Sequence, residues 1–169
     1  MDFEIRAGVL TVSDKGSKGQ RKDESGKIIV GILEEQGFKV LKREIVPDVR
    51  RQIAEILRTW VDRDKLSLIV TSGGTGVSPT DLTPQATADV IDYEVPGMAE
   101  AMRIASLKKT PHAMISRAKV GVRGDCLIIN LPGSPGGVKD NLSVLLPALG
   151  HALLKLSGDS SDCVKPLSS

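Results

Sequence analysis

At 169 residues, the chain has room for one domain, or one domain and a tail, at roughly 150 residues per domain. Hydrophobic residues at 40% and charged residues at 26% are ordinary for a globular protein, and a net charge of +2 is too mild for one that grips a nucleic-acid backbone. Aromatics reach only 2% (Phe3, Phe38, Trp60 and Tyr93), which predicts an aliphatic core and too few stacking platforms for single strands.

Along the chain, Ile5 to Val12 is a short apolar run that reads as a buried strand. A polar, basic loop follows from Ser13 to Ser25. Ile28, Ile29, Ile32 and Leu33 lie at helical spacing between Lys27 and Gln36, and Gly37 stops that helix. Phe38 to Val46 is a second strand, broken by Pro47-Asp48. Ile53, Ile56, Leu57, Trp60 and Val61 mark one helical face. Leu66 to Thr71 is a third strand, and Ser72-Gly73-Gly74-Thr75-Gly76 is a glycine-rich loop at its end. Thr83 can cap a helix with Pro84 in its first position, running to about Asp92. Another helix follows Pro96-Gly97. Val120 to Val122 and Cys126 to Asn130 flank a hairpin turn at Arg123-Gly124-Asp125. A second glycine- and proline-rich loop, Leu131 to Gly137, opens a helix that reaches Leu156. Gly158 to Ser169 is polar and reads as a frayed tail, dispensable for folding.

Strands alternating with helices predict an α/β architecture with a mostly parallel sheet and helices on both faces. No run approaches about 18 apolar residues, so no membrane-spanning helix is expected. The acidic start, Met1-Asp2-Phe3-Glu4, does not resemble a signal peptide. Cys126 and Cys163 are too few for a disulfide framework, and His112 and His151 lack zinc-ligand spacing. The reading is a cytoplasmic protein that engages neither nucleic acid nor membrane.

Ligands of parallel sheets bind beyond the carboxyl ends of the strands, which puts the two glycine-rich loops at one edge. Glycines let backbone amides approach an anion closely, although each loop could also be only a tight connection. Neither completes a phosphate-loop or dinucleotide fingerprint. Asp14, Asp48 and Asp81 follow predicted strands or lie in the loops after them. Carboxylates beside a phosphate site require a cation, and Mg²⁺ suits such a mixture. Asp48 could instead cap the following helix and Asp14 could form a turn, whereas Asp81 lies too early to cap the helix at Pro84. Lys15, Lys18, Arg21, Lys22 and Lys27 make the first loop either a solvated segment or a cover over a triphosphate. Glu100 and Arg103 are spaced for an i,i+3 surface ion pair.

Five segments together resemble the MogA/MoaB family of molybdenum-cofactor biosynthesis. They are Thr11-Val12-Ser13-Asp14, Val46-Pro47-Asp48, Thr71 to Gly76 with Asp81-Leu82-Thr83-Pro84, Pro96 to Arg103, and Asn130 to Pro135. The resemblance covers about residues 5 to 157 and implies a molybdopterin-binding domain over 1–157, with 158–169 as tail. It implies a three-layer α/β/α sandwich, a homotrimer, and molybdopterin adenylyltransferase activity: ATP and molybdopterin give adenylyl-molybdopterin and pyrophosphate with Mg²⁺. A molybdenum-insertion protein would act downstream. The resemblance places catalysis and metal binding on Asp48 and Asp81. It places substrate binding on Ser13, Asp14, Ser72, Gly73, Gly74, Thr75, Gly76, Glu100, Pro132, Gly133 and Ser134. The alternative is a MoaB-like module that binds molybdopterin without adenylating it.

Overall fold

Period-two alternation along the strands decides which residues face which layer of helices. The computed structural model describes residues 4–160. Its sheet contains β1 (Arg6–Val12), β2 (Lys39–Val46), β3 (Leu68–Ser72), β4 (Tyr93–Glu94), β5 (Val120–Arg123) and β6 (Cys126–Leu131), in the order β2-β1-β3-β6-β5-β4. The first four in that order pair in parallel, and β5 and β4 add antiparallel strands at one side.

Ala7, Val9, Leu68, Val70, Leu127 and Ile129 face one side. There they pack against Ile29 and Leu33 of α2 (Glu24–Glu35), Met102 of α5 (Pro96–Leu107), and Leu142 and Leu149 of α6 (Pro135–Leu156). Leu10, Val12, Ile69 and Ile128 face the other side. Their partners are Ile53, Leu57 and Trp60 of α3 (Arg50–Asp62) and Ala86 of α4 (Thr83–Ala88). This is the expected three-layer sandwich, with an aliphatic core on both faces and one buried tryptophan. Cys126 is the expected core thiol, and burial pushes its pKa up to about 12. Among the described residues, no helix is long and apolar enough to cross a membrane.

Several local expectations need correction. The first loop contains a short helix, α1 (Asp14–Ser17), and α2 begins at Glu24 because Asp23 caps it by accepting from Gly26 N–H. Thr83 is not a cap: Leu82 precedes the helix, and the buried Thr83 hydroxyl donates to the Gly73 carbonyl at 2.8 Å. α4 stops at Ala88, well short of Asp92. The chain beyond it joins the sheet, with Asp92 N–H donating to Val122 O and Val95 N–H to Val120 O, and this makes the unforeseen strand β4. A 3₁₀ turn over Pro111–Ile115 was also not legible. The expected hairpin is present, with Arg123 paired to Cys126 and Gly124 in the left-handed region at φ +54°. Of the expected tail, residues 161–169, including Cys163, lie outside the described residues.

Parallel pairing brings the carboxyl ends of four strands to one edge, where Val12 is in register with Val46, Thr11 with Ser72, and Ser72 with Leu131. The strand order reverses between β1 and β3, since β2 lies outside β1 and β6 beyond β3. That reversal opens a crevice at the carboxyl edge.

Candidate active site

The crevice is a cavity of about 720 Å³ over the switch point. Its floor comes from the loops after the parallel strands: Ser13 after β1, Asp48 after β2, Ser72 to Gly74 at β3, and Gly133 and Ser134 after β6. A second cavity, of about 350 Å³, lies on the other side of the glycine-rich loop and is lined by Thr75, Gly76, Pro132, Arg103, His112 and Asn141, among others. Ser134 lines both.

Glycine is required where these loops touch. Gly73 has φ +93°, and a Cβ there would fall 2.3 Å from the Val12 carbonyl oxygen. A Cβ on Gly74 would lie 2.4 Å from Thr83 Oγ1 and 3.2 Å from Asp48 Oδ1, and one on Gly76 would lie 2.8 Å from Asp81 Oδ2. Both carboxylates therefore press against the glycine loop.

The loop's carbonyls all turn into the protein. Gly73 O accepts from Thr83 Oγ1 at 2.8 Å, Gly74 O from Thr83 N–H at 3.2 Å, Thr75 O from Arg117 N–H at 2.8 Å, and Gly76 O from Arg117 Nε at 2.6 Å. The amides of Gly74, Thr75 and Gly76 donate to nothing among the described residues. Successive amides left open in this way form a concavity for an anion. The buried Ser72 hydroxyl, at the end of β3, also lacks a partner, and buried polar groups without partners are rare enough to mark a ligand position. Behind the loop, Asn130 is fully buried. It donates to Thr71 Oγ1 at 3.0 Å and Thr87 Oγ1 at 2.9 Å, and accepts from Lys119 N–H, which locks α4 to β3 and β6.

The acidic groups divide by how fully they are used. Asp23 lines the large cavity, but its carboxylate is spent on structure: it accepts from Thr11 Oγ1, Gly26 N–H and the Arg43 guanidinium. Asp48 and Asp14 clasp each other, with Asp14 N–H donating to Asp48 Oδ2 at 3.1 Å and Asp48 N–H to Asp14 Oδ1 at 2.9 Å. Asp48 is not the cap of α3, where Val49 stands without a side-chain bond. Asp81 has a structural duty that the sequence reading did not foresee: its Oδ2 accepts from Ser78 N–H at 2.9 Å and closes a turn. The remaining oxygens, Asp48 Oδ1, Asp81 Oδ1 and Asp14 Oδ2, have no donor among the described residues. Burial holds the Asp48 pKa above its ordinary value, and the nearby charges of Asp14 and Asp81 add to that, opposed by the Asp14 amide. No salt bridge reaches Asp14, Asp48 or Asp81 from any described residue.

The predicted binding residues do not all share one space. Ser13, Ser72, Gly73, Gly74, Gly133 and Ser134 line the large cavity with Asp48 and Asp81, whereas Thr75, Gly76 and Pro132 line the small one. Asp14 is exposed and lines neither; it reaches the site through Asp48. Glu100 is exposed on α5 and lines neither. The expected Glu100–Arg103 ion pair is absent among the described residues, and Arg103 instead donates to Ala118 O at 3.0 Å. Arg21 and Lys22 of the basic loop do reach the large cavity. The sequence reading missed Ser25, whose hydroxyl donates to Gly133 O at 2.7 Å and ties the second loop to α2. It also missed Asp23, which a local cap at Gly26 could have signalled, and Arg117 and Asn130, whose partners lie far off in sequence.

Residues 8–151 match a family model described as a "Probable molybdopterin binding domain". The molybdopterin adenylyltransferase of Helicobacter pylori is 41% identical over 157 residues, covering 92% of this chain and 89% of that one. The crystal structure of the molybdopterin biosynthesis enzyme MoaB from Thermus thermophilus is 50% identical with a TM-score of 0.87, covering 92% of this chain and 98% of that one. The molybdopterin biosynthesis Mog protein of Mycobacterium ulcerans is 44% identical with a TM-score of 0.85, covering 89% and 98%. With the family model spanning most of the chain and such relatives matched nearly end to end, this chain belongs to the MogA/MoaB family of molybdopterin-binding proteins.

Proposed function

We propose that this chain is a molybdopterin adenylyltransferase that uses ATP and Mg²⁺. The observation that carries the reading is two cavities meeting at one amide-lined loop, with two half-used carboxylates beside it. A reaction that joins two anionic substrates needs two compartments and a shared point of contact. The name of the Helicobacter pylori relative supplies the reaction class.

The terminal phosphate of molybdopterin is ionised near neutral pH and needs no strong base. Its oxygen attacks the α-phosphorus of ATP, a phosphoanhydride bond forms, and the α–β bond breaks to release pyrophosphate. The protein's work is positioning and electrostatic stabilisation. The free amides of Gly74, Thr75 and Gly76 hold anionic oxygens, and Arg21 and Lys22 offset triphosphate charge at the cavity wall. Among the described residues no group of three or more metal-ligating side chains occurs. The donor set fits Mg²⁺ nonetheless, because Asp48 Oδ1 and Asp81 Oδ1 are unclaimed hard oxygens, and Mg²⁺ binds one or two carboxylates with phosphates and water. When bound there it would supply charge neutralisation for the triphosphate. A homotrimer and a cytoplasmic location, with a metal-insertion protein taking the product, complete the proposal. Exposed apolar side chains on α5 and the following 3₁₀ turn, Ile104, Leu107, Met114 and Ile115, offer a surface for self-association.

The test is incubation with molybdopterin, ATP and Mg²⁺, scoring adenylyl-molybdopterin and pyrophosphate. The family model's description names binding alone, which favours, as second reading, a module that binds molybdopterin without adenylating it. That reading predicts saturable molybdopterin binding with no pyrophosphate.

A further inference from the structure

We infer that Arg117 is a positioning residue for adenylation: it fixes the span from Thr75 to Asp81 and so sets where the open amides and the Asp81 carboxylate stand. This rests on the adenylyltransferase reading for its kinetic consequences, but not for its structural ones.

Arg117 lies in the segment between the 3₁₀ turn and β5, 41 residues from Gly76 and 36 from Asp81. Its Nε donates to Gly76 O and its second guanidinium nitrogen to Asp81 O, both at 2.6 Å, and its own N–H donates to Thr75 O at 2.8 Å. One residue thus holds three carbonyls across seven positions. The guanidinium is a planar fork whose donors keep a fixed separation, so it sets the distance between Gly76 O and Asp81 O as well as binding both.

Between these two points the chain bulges into solvent, and Val77 is 62% exposed. The bulge is held only from within, by Asp81 N–H on Ser78 O, Ser78 N–H on Asp81 Oδ2, and the Ser78–Thr80 hydroxyl contact. Such a turn can move as a unit while keeping all its own bonds. What fastens it to the body at its base is Arg117 on one side and Thr83 on the other. The Arg117 segment is itself pinned, since Ala118 O accepts from Arg103 and Lys119 N–H donates to Asn130 Oδ1. Arg117 is therefore a rigid support for the solvent-facing half of the site.

A Lys at this position keeps the charge but loses the fork, so it cannot hold both carbonyls at their set separation. Misplacement by about 1 Å costs roughly 10²-fold in rate. Arg117→Lys and Arg117→Ala should fold, and both should lose about that factor in kcat while molybdopterin affinity changes by less than about threefold. Added guanidinium should restore part of the turnover to Arg117→Ala and none to Arg117→Lys, whose side chain fills the space. Amide hydrogen exchange gives a readout free of activity: protection of the two amides that bond the loop at its base, Thr83 N–H on Gly74 O and the residue 117 N–H on Thr75 O, should fall in both variants while that of β1 and β6 is kept. Unchanged exchange at these two amides, or wild-type kcat in Arg117→Lys, would overturn the inference. If wild-type protein makes no adenylyl-molybdopterin, the proposed function fails, and the exchange result alone then decides the role of Arg117.

Discussion

The two edges of the sheet treat charge in opposite ways. At the amino edge of the parallel strands, most of the charges are closed into pairs. Arg123 forks onto Asp62 with two bonds, at 2.9 and 2.7 Å. Arg6 donates to Asp64 O, Lys42 pairs with Asp64, and Gly124 N–H donates to Asp92. At the carboxyl edge, Asp14, Asp48 and Asp81 have no cationic partner among the described residues, the Ser72 hydroxyl has none of any kind, and three successive amides stay open. An edge built only for stability would close these groups as the other does. Perturbed and unpaired groups gathered in a cleft are the physical mark of a functional site, and here the same fold provides its own control.

The comparison can be broken first at Asp81. Asp81→Asn keeps an oxygen for Ser78 N–H and removes the charge, so turnover should fall by about 10²-fold or more, as for loss of one electrostatic group. Molybdopterin affinity without ATP should stay close to wild type. Near-normal turnover would remove Asp81 from catalysis, and abolished binding would place it among the pterin contacts.

Next comes Gly73→Ala. With φ +93° and a methyl 2.3 Å from Val12 O, the substitution forces β1 and β3 apart at the site. The expected loss is about 1–3 kcal/mol of stability, seen as a lower Tm, with activity falling too. Unchanged melting would show that the loop has room the structure does not show.

Asp48→Asn should lower turnover without lowering stability. The native state raises the Asp48 pKa, chiefly by burial, so the folded protein binds this proton more readily than the unfolded chain. Stability from this group is then fully present below the unfolded pKa and is lost as pH rises through the folded pKa. At neutral pH the ionised carboxylate works against folding, and Asp48→Asn should melt no lower than wild type. That gap should close as pH falls toward the ordinary aspartate range. A clear drop in Tm at neutral pH would show that the Asp14–Asp48 clasp needs the charge.

The smallest effect belongs to the amino edge. The Arg123 bond holds the Asp62 pKa below its ordinary value, so its contribution is present above the unfolded pKa and is lost as pH falls through the folded one. The pair is exposed, and Asp62→Asn should cost less than about 1 kcal/mol with turnover unchanged. Lost turnover would mean that the two edges are coupled.

Much of this was legible in the sequence because it is local. Short apolar runs and helical spacing marked the parallel strands and main helices, and the glycines at 73, 74 and 76 marked a loop that backbone must approach. What stayed hidden depends on distant partners. Asp92 leaves α4 because Val122 O awaits it, Thr83 turns inward because Gly73 O needs a donor, and Arg117 finds carbonyls some 40 residues away. The split of the predicted residues between two cavities was hidden for the same reason, since a tight loop can present neighbouring residues to opposite sides.

The most direct test of the central claim follows the phosphorus atoms of ATP. With molybdopterin, Mg²⁺ and wild-type protein, label at the α-phosphorus should appear in a pterin product, and label at the γ-phosphorus should leave in pyrophosphate, in equal amounts. Molybdopterin binding with all label remaining in ATP would contradict the account and leave this edge as a binding site alone.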